Sequence, residues 1–276
     1  MKPDLVIAVD WSARSTPSPK APSPDACWIA WGTNDHRPPP EYFRTRSACE
    51  HRIRELLQSQ GGPAIVGFDF PFGYPLGPQG TPLLPTGRAL LQELARLIHD
   101  DENNENNRFE VAALLNQRIS DHTGEAAGPF WGCPTRAATP DLQPTKRTTG
   151  VPEFRAVEQH VRETGNSTIQ SPWKLFTTGS VGSQALLGLP AIHRLIKAVG
   201  ENARLWPFES PDQPTSAVFA EIWPSLTPCD HVEHDIKDAR QVTAVRDAMV
   251  SSPPSLVVRH PSAATEGWIL DHSLTG

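Results

Sequence analysis

Two apolar runs that each stop at an aspartate constrain the fold of this chain more than any other feature: LVIAVDWSARS, which delivers Asp10, and AIVGFDFPFG, which delivers Asp69. A strand that is apolar on both faces belongs inside a sheet covered on both sides, because a solvated face would alternate with polar residues. Ligands of open α/β sheets gather beyond the carboxyl ends of the strands, so two such aspartates on neighbouring parallel strands point into one crevice. A crevice of that kind suits a metal ion or a phosphate.

Periodicity and punctuation predict strands over 5–9, 26–32, 41–45, 64–69, 203–208 and 217–222, and helices over 47–60, 87–99, 108–120, 152–164, 190–199 and 235–250. Ser47, with Glu50 three positions on, is the expected N-cap of the first helix, and Gly61-Gly62 is its stop. The strand over 64–69 returns after a hairpin-linked pair and a helix. A right-handed crossover then sets it parallel to the first strand, with Asp10 beside Asp69. The class is α/β with a mixed sheet. Residues 76–180 read as helices separated by polar loops, among them DDENNENN, which is expected to be a solvent loop. This segment is expected to be an inserted helical cap on a core made of residues 1–75 and 181–276.

A chain of 276 residues with 38% apolar content has enough material for a sizeable soluble core. Its apolar runs fall short of the roughly 18 residues that span a bilayer, and MKPDLVIAVD lacks a secretory cleavage pattern, so a cytoplasmic protein without membrane partners is expected. Cys27, Cys49, Cys133 and Cys229 are widely spaced and suggest reduced, partly buried thiols, not a disulfide framework or a zinc ribbon. With a formal charge of −6, nucleic acid would have to be met by a local basic patch.

Glu221 ends a third apolar strand, and the helix over 235–250 opens with Asp235 and Asp238 on one face. Four carboxylates in one crevice cannot all ionise without a cation, since repulsion and desolvation would raise their pKa values. Mg²⁺ or Mn²⁺ would resolve that conflict through oxygen ligands, and a two-ion arrangement would activate water and stabilise the leaving oxygen of a phosphodiester. Taken singly, the same acids also suit turns and helix caps: Asp10 followed by Ser12 could be a turn device, and Asp235 an N-cap.

The series VDWSARS, GFDFPFGYP, EFRAVE, TTGSVGSQ, AEIWPS and IKDARQV resembles the family called domain of unknown function 429 over most of the chain. The resemblance implies a ribonuclease H-like fold, here with a mixed five- or six-stranded sheet. It also implies that Asp10, Asp69, Glu221 and Asp238 occupy the acidic positions of a ribonuclease H-like metal site. Asp235 or Asp247 could replace Asp238 as the last-helix acid.

Ser12, Arg155 and Lys174 are the candidate substrate contacts. Arg155 stands three residues before Glu158, which suits a helix-face ion pair; as a contact to substrate it would offer a planar fork to a phosphate. Arg136, Lys146 and Arg147 read as solvated surface; His231-x-x-His234, nearer the acids than the other histidines, could assist proton transfer, but a loop pair without function is the default. The leading expectation is a divalent-metal-dependent phosphoesterase, a nuclease, acting on nucleic acid or a small phosphorylated substrate. Asp10 would bridge the ions, Asp69 and Glu221 would complete the shell, and Asp238 would hold the second ion. Two alternatives stand beside it: an ATP-dependent phosphotransferase of actin-like or sugar-kinase architecture, and a catalytically silent interaction module. Trp11, where phosphate approach favours glycine, counts against the phosphotransferase.

Overall fold

The computed structural model describes residues 2–59, 61–165, 168–177, 179–210 and 215–275. Six strands form one mixed sheet: β1 (Leu5–Asp10), β2 (Cys27–Gly32), β3 (Glu41–Phe43), β4 (Ala64–Phe68), β5 (Ala203–Leu205) and β6 (Ala217–Glu221), in the order β3-β2-β1-β4-β6-β5. Strand β2 runs antiparallel between β1 and β3, whereas β1, β4, β6 and β5 are mutually parallel. The register pairs Val9 with Phe68 and Phe68 with Glu221. That alignment brings the ends of β1, β4 and β6 to one edge, with Asp69 immediately beyond Phe68.

Seven helices are described: α1 (Arg46–Ser59), α2 (Gly87–Leu97), α3 (Arg108–Thr123), α4 (Ala156–Glu163), α5 (Val181–Val199), α6 (Lys237–Ser251) and α7 (Ala263–Glu266). They cover the sheet on both faces, which is why its strands are continuously apolar. Alternation along β1 makes the division visible: Leu5, Ile7 and Val9 join one buried cluster with residues of α1, α2, α3 and α5, while Val6 and Ala8 join another with residues of α4 and α6.

The helical segment expected as a cap shares the core of the sheet. Leu90, Leu91 and Leu94 of α2 and Val111, Leu115 and Ile119 of α3 belong to the same cluster as β1. Its asparagine-rich loop is not simply solvated. Asn104 is fully buried, its Oδ1 accepting the Arg46 N–H at 3.0 Å, while Asp100 pairs with the Arg46 guanidinium. Such packing satisfies backbone that a bare loop would leave to water.

Four helix starts differ from expectation: α4 begins at Ala156, four residues after the expected position, α6 at Lys237, two after, and α1 and α5 differ as well. Helix α1 begins at Arg46, and Thr45 Oγ1, not Ser47, accepts an N–H of the first turn, that of Ala48, at 3.3 Å. Glu50 does not reach back to a cap because Arg54 and Arg194 hold its carboxylate. Helix α5 begins at Val181, nine residues before the expected start, and carries Pro190 in its interior. Gly188 lets it lie against the segment that follows β4: a Cβ there would meet the Phe70 ring at 2.1 Å.

Candidate functional site

Asp10 closes β1, Asp69 follows β4, and Asp238 sits in the first turn of α6, so three elements deliver three carboxylates to one cavity of about 620 Å³. Asp69 is held from two sides. Its Oδ1 accepts the Trp11 N–H at 2.7 Å, and its Oδ2 accepts Gln184 Nε2 at 3.1 Å. The same Gln184 nitrogen donates to the Trp11 carbonyl at 2.5 Å, tying α5 to the turn after β1. The indole of Trp11 is buried against Phe68 and Phe70, which anchors that turn in the core. Asp238 Oδ2 accepts the Asp25 N–H at 2.9 Å.

Asp10 accepts no such hydrogen bond among the described residues. Burial, followed by the charges of Asp69 and Asp238, holds its pKa well above the usual carboxylate range. Burial also pushes Asp69 up to about 7 against the lowering effect of the Trp11 and Gln184 hydrogen bonds, and burial raises Asp238. Carboxylates gathered in a partly desolvated cavity either take up a proton or hold a cation. None of the ion pairs among the described residues includes Asp10, Asp69 or Asp238.

The donor set is carboxylate oxygen, which suits a hard cation such as Mg²⁺ or Mn²⁺. Among the described residues no three His, Cys, Asp or Glu side chains form a group that could enclose an ion. The fit is therefore to a hydrated ion held by one or two carboxylates with substrate oxygens completing the shell, the manner in which Mg²⁺ is commonly bound.

Glu221 does not line this cavity, though it shares a neighbouring one of about 220 Å³ with Asp69. It is 4% exposed, and it accepts Arg155 Nη2 at 2.6 Å, Arg155 Nη1 at 2.8 Å and the Phe72 N–H at 3.1 Å. Arg155 is fully buried between Glu221 and Glu158, with a further bond from Nη1 to the Glu266 carbonyl at 3.2 Å. The five guanidinium N–H groups are matched by five protein acceptor contacts, from Nε and from both terminal nitrogens. The expectation that Arg155 offers a fork to substrate is corrected by this geometry: no donor remains, and none faces the acids.

The other candidates are placed as follows. Ser12 lines the cavity, but its hydroxyl donates to the Asp25 carbonyl at 2.7 Å and accepts the Arg14 N–H at 3.3 Å, so it builds the turn. Lys174 lies outside the cavity lining, with Nζ on Gln170 Oε1 at 3.0 Å. Asp235 is exposed and precedes α6, which starts at Lys237 with Ile236 as its N-cap. Asp247, three turns along α6, pairs with Arg246 and Arg37. His234 accepts the Ile236 N–H at 3.0 Å and packs edge-on against Trp28, a structural position. Lys146 pairs with Glu153 on the surface.

Sequence reasoning missed Arg108 and named Gln184 only within its loop; both line the cavity. For Gln184 the signal was its place in TTGSVGSQ, once α5 is started at Val181; for Arg108, in NNRFE, there was none. Thr178 of that loop lies outside the described residues. Searches of protein-family models, curated proteins and solved structures each return no match to this chain.

Proposed function

We propose that this protein is a divalent-metal-dependent phosphoesterase, acting as a nuclease, whose Mg²⁺ or Mn²⁺ is held by Asp10 and Asp69 with Asp238 across the cavity. The observation that carries it is the convergence of Asp10, Asp69 and Asp238 on one cavity, each partly desolvated and each without an ion-pair partner among the described residues. The mixed sheet with carboxylates at the ends of adjacent parallel strands supports the ribonuclease H-like reading. A bound ion would lower the pKa of water and stabilise the leaving oxygen. Trp11 and Gln184 fix the Asp69 carboxylate, and the Asp25 N–H orients Asp238. Glu221, neutralised by Arg155, is assigned to the support of the strand end.

The phosphotransferase reading gains nothing from the turn after Asp10. Trp11 is 1% exposed and its N–H is committed to Asp69, where a phosphate loop would present free N–H groups. Three buried free thiols are in keeping with a reducing compartment such as the cytoplasm. No described helix is long and apolar enough to cross a membrane.

Labelled single-stranded oligonucleotide and labelled ATP, assayed side by side with Mn²⁺, test the proposal. Cleavage of the oligonucleotide, lost in Asp10→Asn, is expected. Metal-dependent ATP turnover lost in that variant, without oligonucleotide cleavage, would favour the phosphotransferase.

A further inference from the structure

Four arginines are buried among the described residues: Arg46, Arg108, Arg155 and Arg246. Three of them hold carboxylates, on Asp100, on Glu158 and Glu221, and on Asp247 respectively. Arg108 does not. It is 6% exposed and lines the same cavity as Asp10, Asp69 and Asp238. Its Nε donates to Ser183 Oγ at 3.0 Å, and its Nη1 to Asn106 Oδ1 at 2.7 Å and Ser15 Oγ at 2.9 Å, all neutral acceptors. Nη2 makes no bond among the described residues. Burial, then the nearby Arg46, lowers its pKa to about 10, while Asp100, the acid that opposes this, is occupied by Arg46. The guanidinium also lies over the Phe109 ring, its carbon 4.3 Å from the centroid, which stabilises the cation in part but supplies no counter-charge, and it faces an open cavity.

A second feature converges on it. Ser180 and Val181, at the start of the 19-residue helix α5, line the same cavity; no side chain caps that helix, although the Gly182 N–H is taken by the Lys174 carbonyl at 3.0 Å and the Ser180 N–H by the Thr177 carbonyl at 3.2 Å. Ser183 joins the two features, accepting from Arg108 while donating to the Leu175 carbonyl at 2.6 Å. Gly182 permits the approach, because a Cβ there would meet the Pro172 and Lys174 carbonyls at 2.5 and 2.6 Å. Backbone N–H groups and the helix dipole both favour an anion at such an end. Arg14, half-buried on the same wall, adds a further cation.

The geometry points to an anion subsite in which Arg108 and the first turn of α5 hold a phosphoryl group of the substrate beside the Asp10–Asp69 pair. The identity of that group as part of a substrate rests on the phosphoesterase reading, whereas the subsite itself stands on Arg108. It assigns the phosphate-binding role, once expected of Arg155, to a residue that faces the acids. The bidentate fork of a guanidinium suits phosphate oxygens, and the neighbouring carboxylates would repel a phosphate unless protonated or bridged by a cation.

Calorimetric titration with inorganic phosphate in EDTA, and with a short oligonucleotide in Mn²⁺, tests the subsite. Wild type is expected to bind phosphate saturably, Arg108→Gln roughly tenfold to a hundredfold more weakly, and Asp10→Asn at least as tightly as wild type. Should Arg108→Gln fail to fold, Arg108→Lys decides: it keeps the charge, loses the fork, and is expected to bind several-fold more weakly. The same order of loss is expected for the oligonucleotide. No saturable phosphate binding by wild type, or binding by the folded Arg108 variant equal to wild type, overturns the subsite whatever Mn²⁺ does. Phosphate binding that depends on Arg108, in a protein that neither binds Mn²⁺ nor cleaves oligonucleotide, leaves the subsite standing and removes the phosphoesterase reading alone.

Discussion

Two clusters of carboxylates flank the same strand ends and are treated in opposite ways. Glu221 and Glu158 enclose Arg155, which is fully buried and gives every N–H to an acceptor. Asp10 and Asp69 line one cavity with no ion-pair partner among the described residues, and burial raises the pKa of both, so neither ionises readily without a counter-charge. The first cluster is complete as it folds; the second is complete only with something added. Acidity at a strand end thus does not identify a site. What separates support from function is whether the chain supplies its own counter-charge.

The largest effect that tests this contrast belongs to the closed cluster. Removing one partner of a buried ion pair leaves an uncompensated charge, so Arg155→Met is expected to destabilise the fold by about 3–5 kcal/mol, read by denaturant unfolding. A loss under about 1 kcal/mol would mean that Arg155 does not organise the end of β6.

The open cluster responds in the other direction. Asp69→Asn removes repulsion and is expected to leave apo stability unchanged or raised, while cancelling the gain from Mn²⁺, which at a hundredfold excess over its dissociation constant would be about 2.7 kcal/mol in wild type. The pH dependence sharpens the difference. In the folded state Asp69 titrates near 7, above its unfolded value of about 3.9, so the folded protein binds more protons through that interval. Its contribution to apo stability is therefore fully present at low pH and is lost as pH rises toward 7. Melting curves should show this slope in wild type and a flatter one in Asp69→Asn; a large loss of apo stability in the variant would mark Asp69 as a structural cap.

Much of the sheet was legible because its cause is local. Continuous apolar runs in β1, β4 and β6 and their terminal acids report burial on both faces, and the crossover rule set Asp10 beside Asp69. Helix α5 was misjudged because Gly182, Gly188 and Pro190 look like punctuation. The glycines are there for close approach to the 172–174 backbone and to Phe70, a long-range cause that no window shows. The site was only half legible for the same reason. Asp238 could be singled out from Asp235 and Asp247 only once α6 was seen to start at Lys237 and Arg246 and Arg37 to claim Asp247. The Arg155–Glu158 pair was legible from its three-residue spacing, whereas the pairing of Arg155 with Glu221, 66 residues away, has no trace in spacing, which is why sequence alone assigns Glu221 and the fork role of Arg155 to the site.

Calorimetric titration of Mn²⁺ into the apo protein tests most directly whether the open cluster is a metal site. Saturable binding is expected for wild type and for the control Asp247→Asn, and loss of that binding in both Asp10→Asn and Asp69→Asn, since either change replaces one of the two anionic ligands by a neutral oxygen that holds a hard cation far more weakly. Binding by Asp10→Asn equal to wild type, or no binding by wild type, would contradict the metal-site assignment.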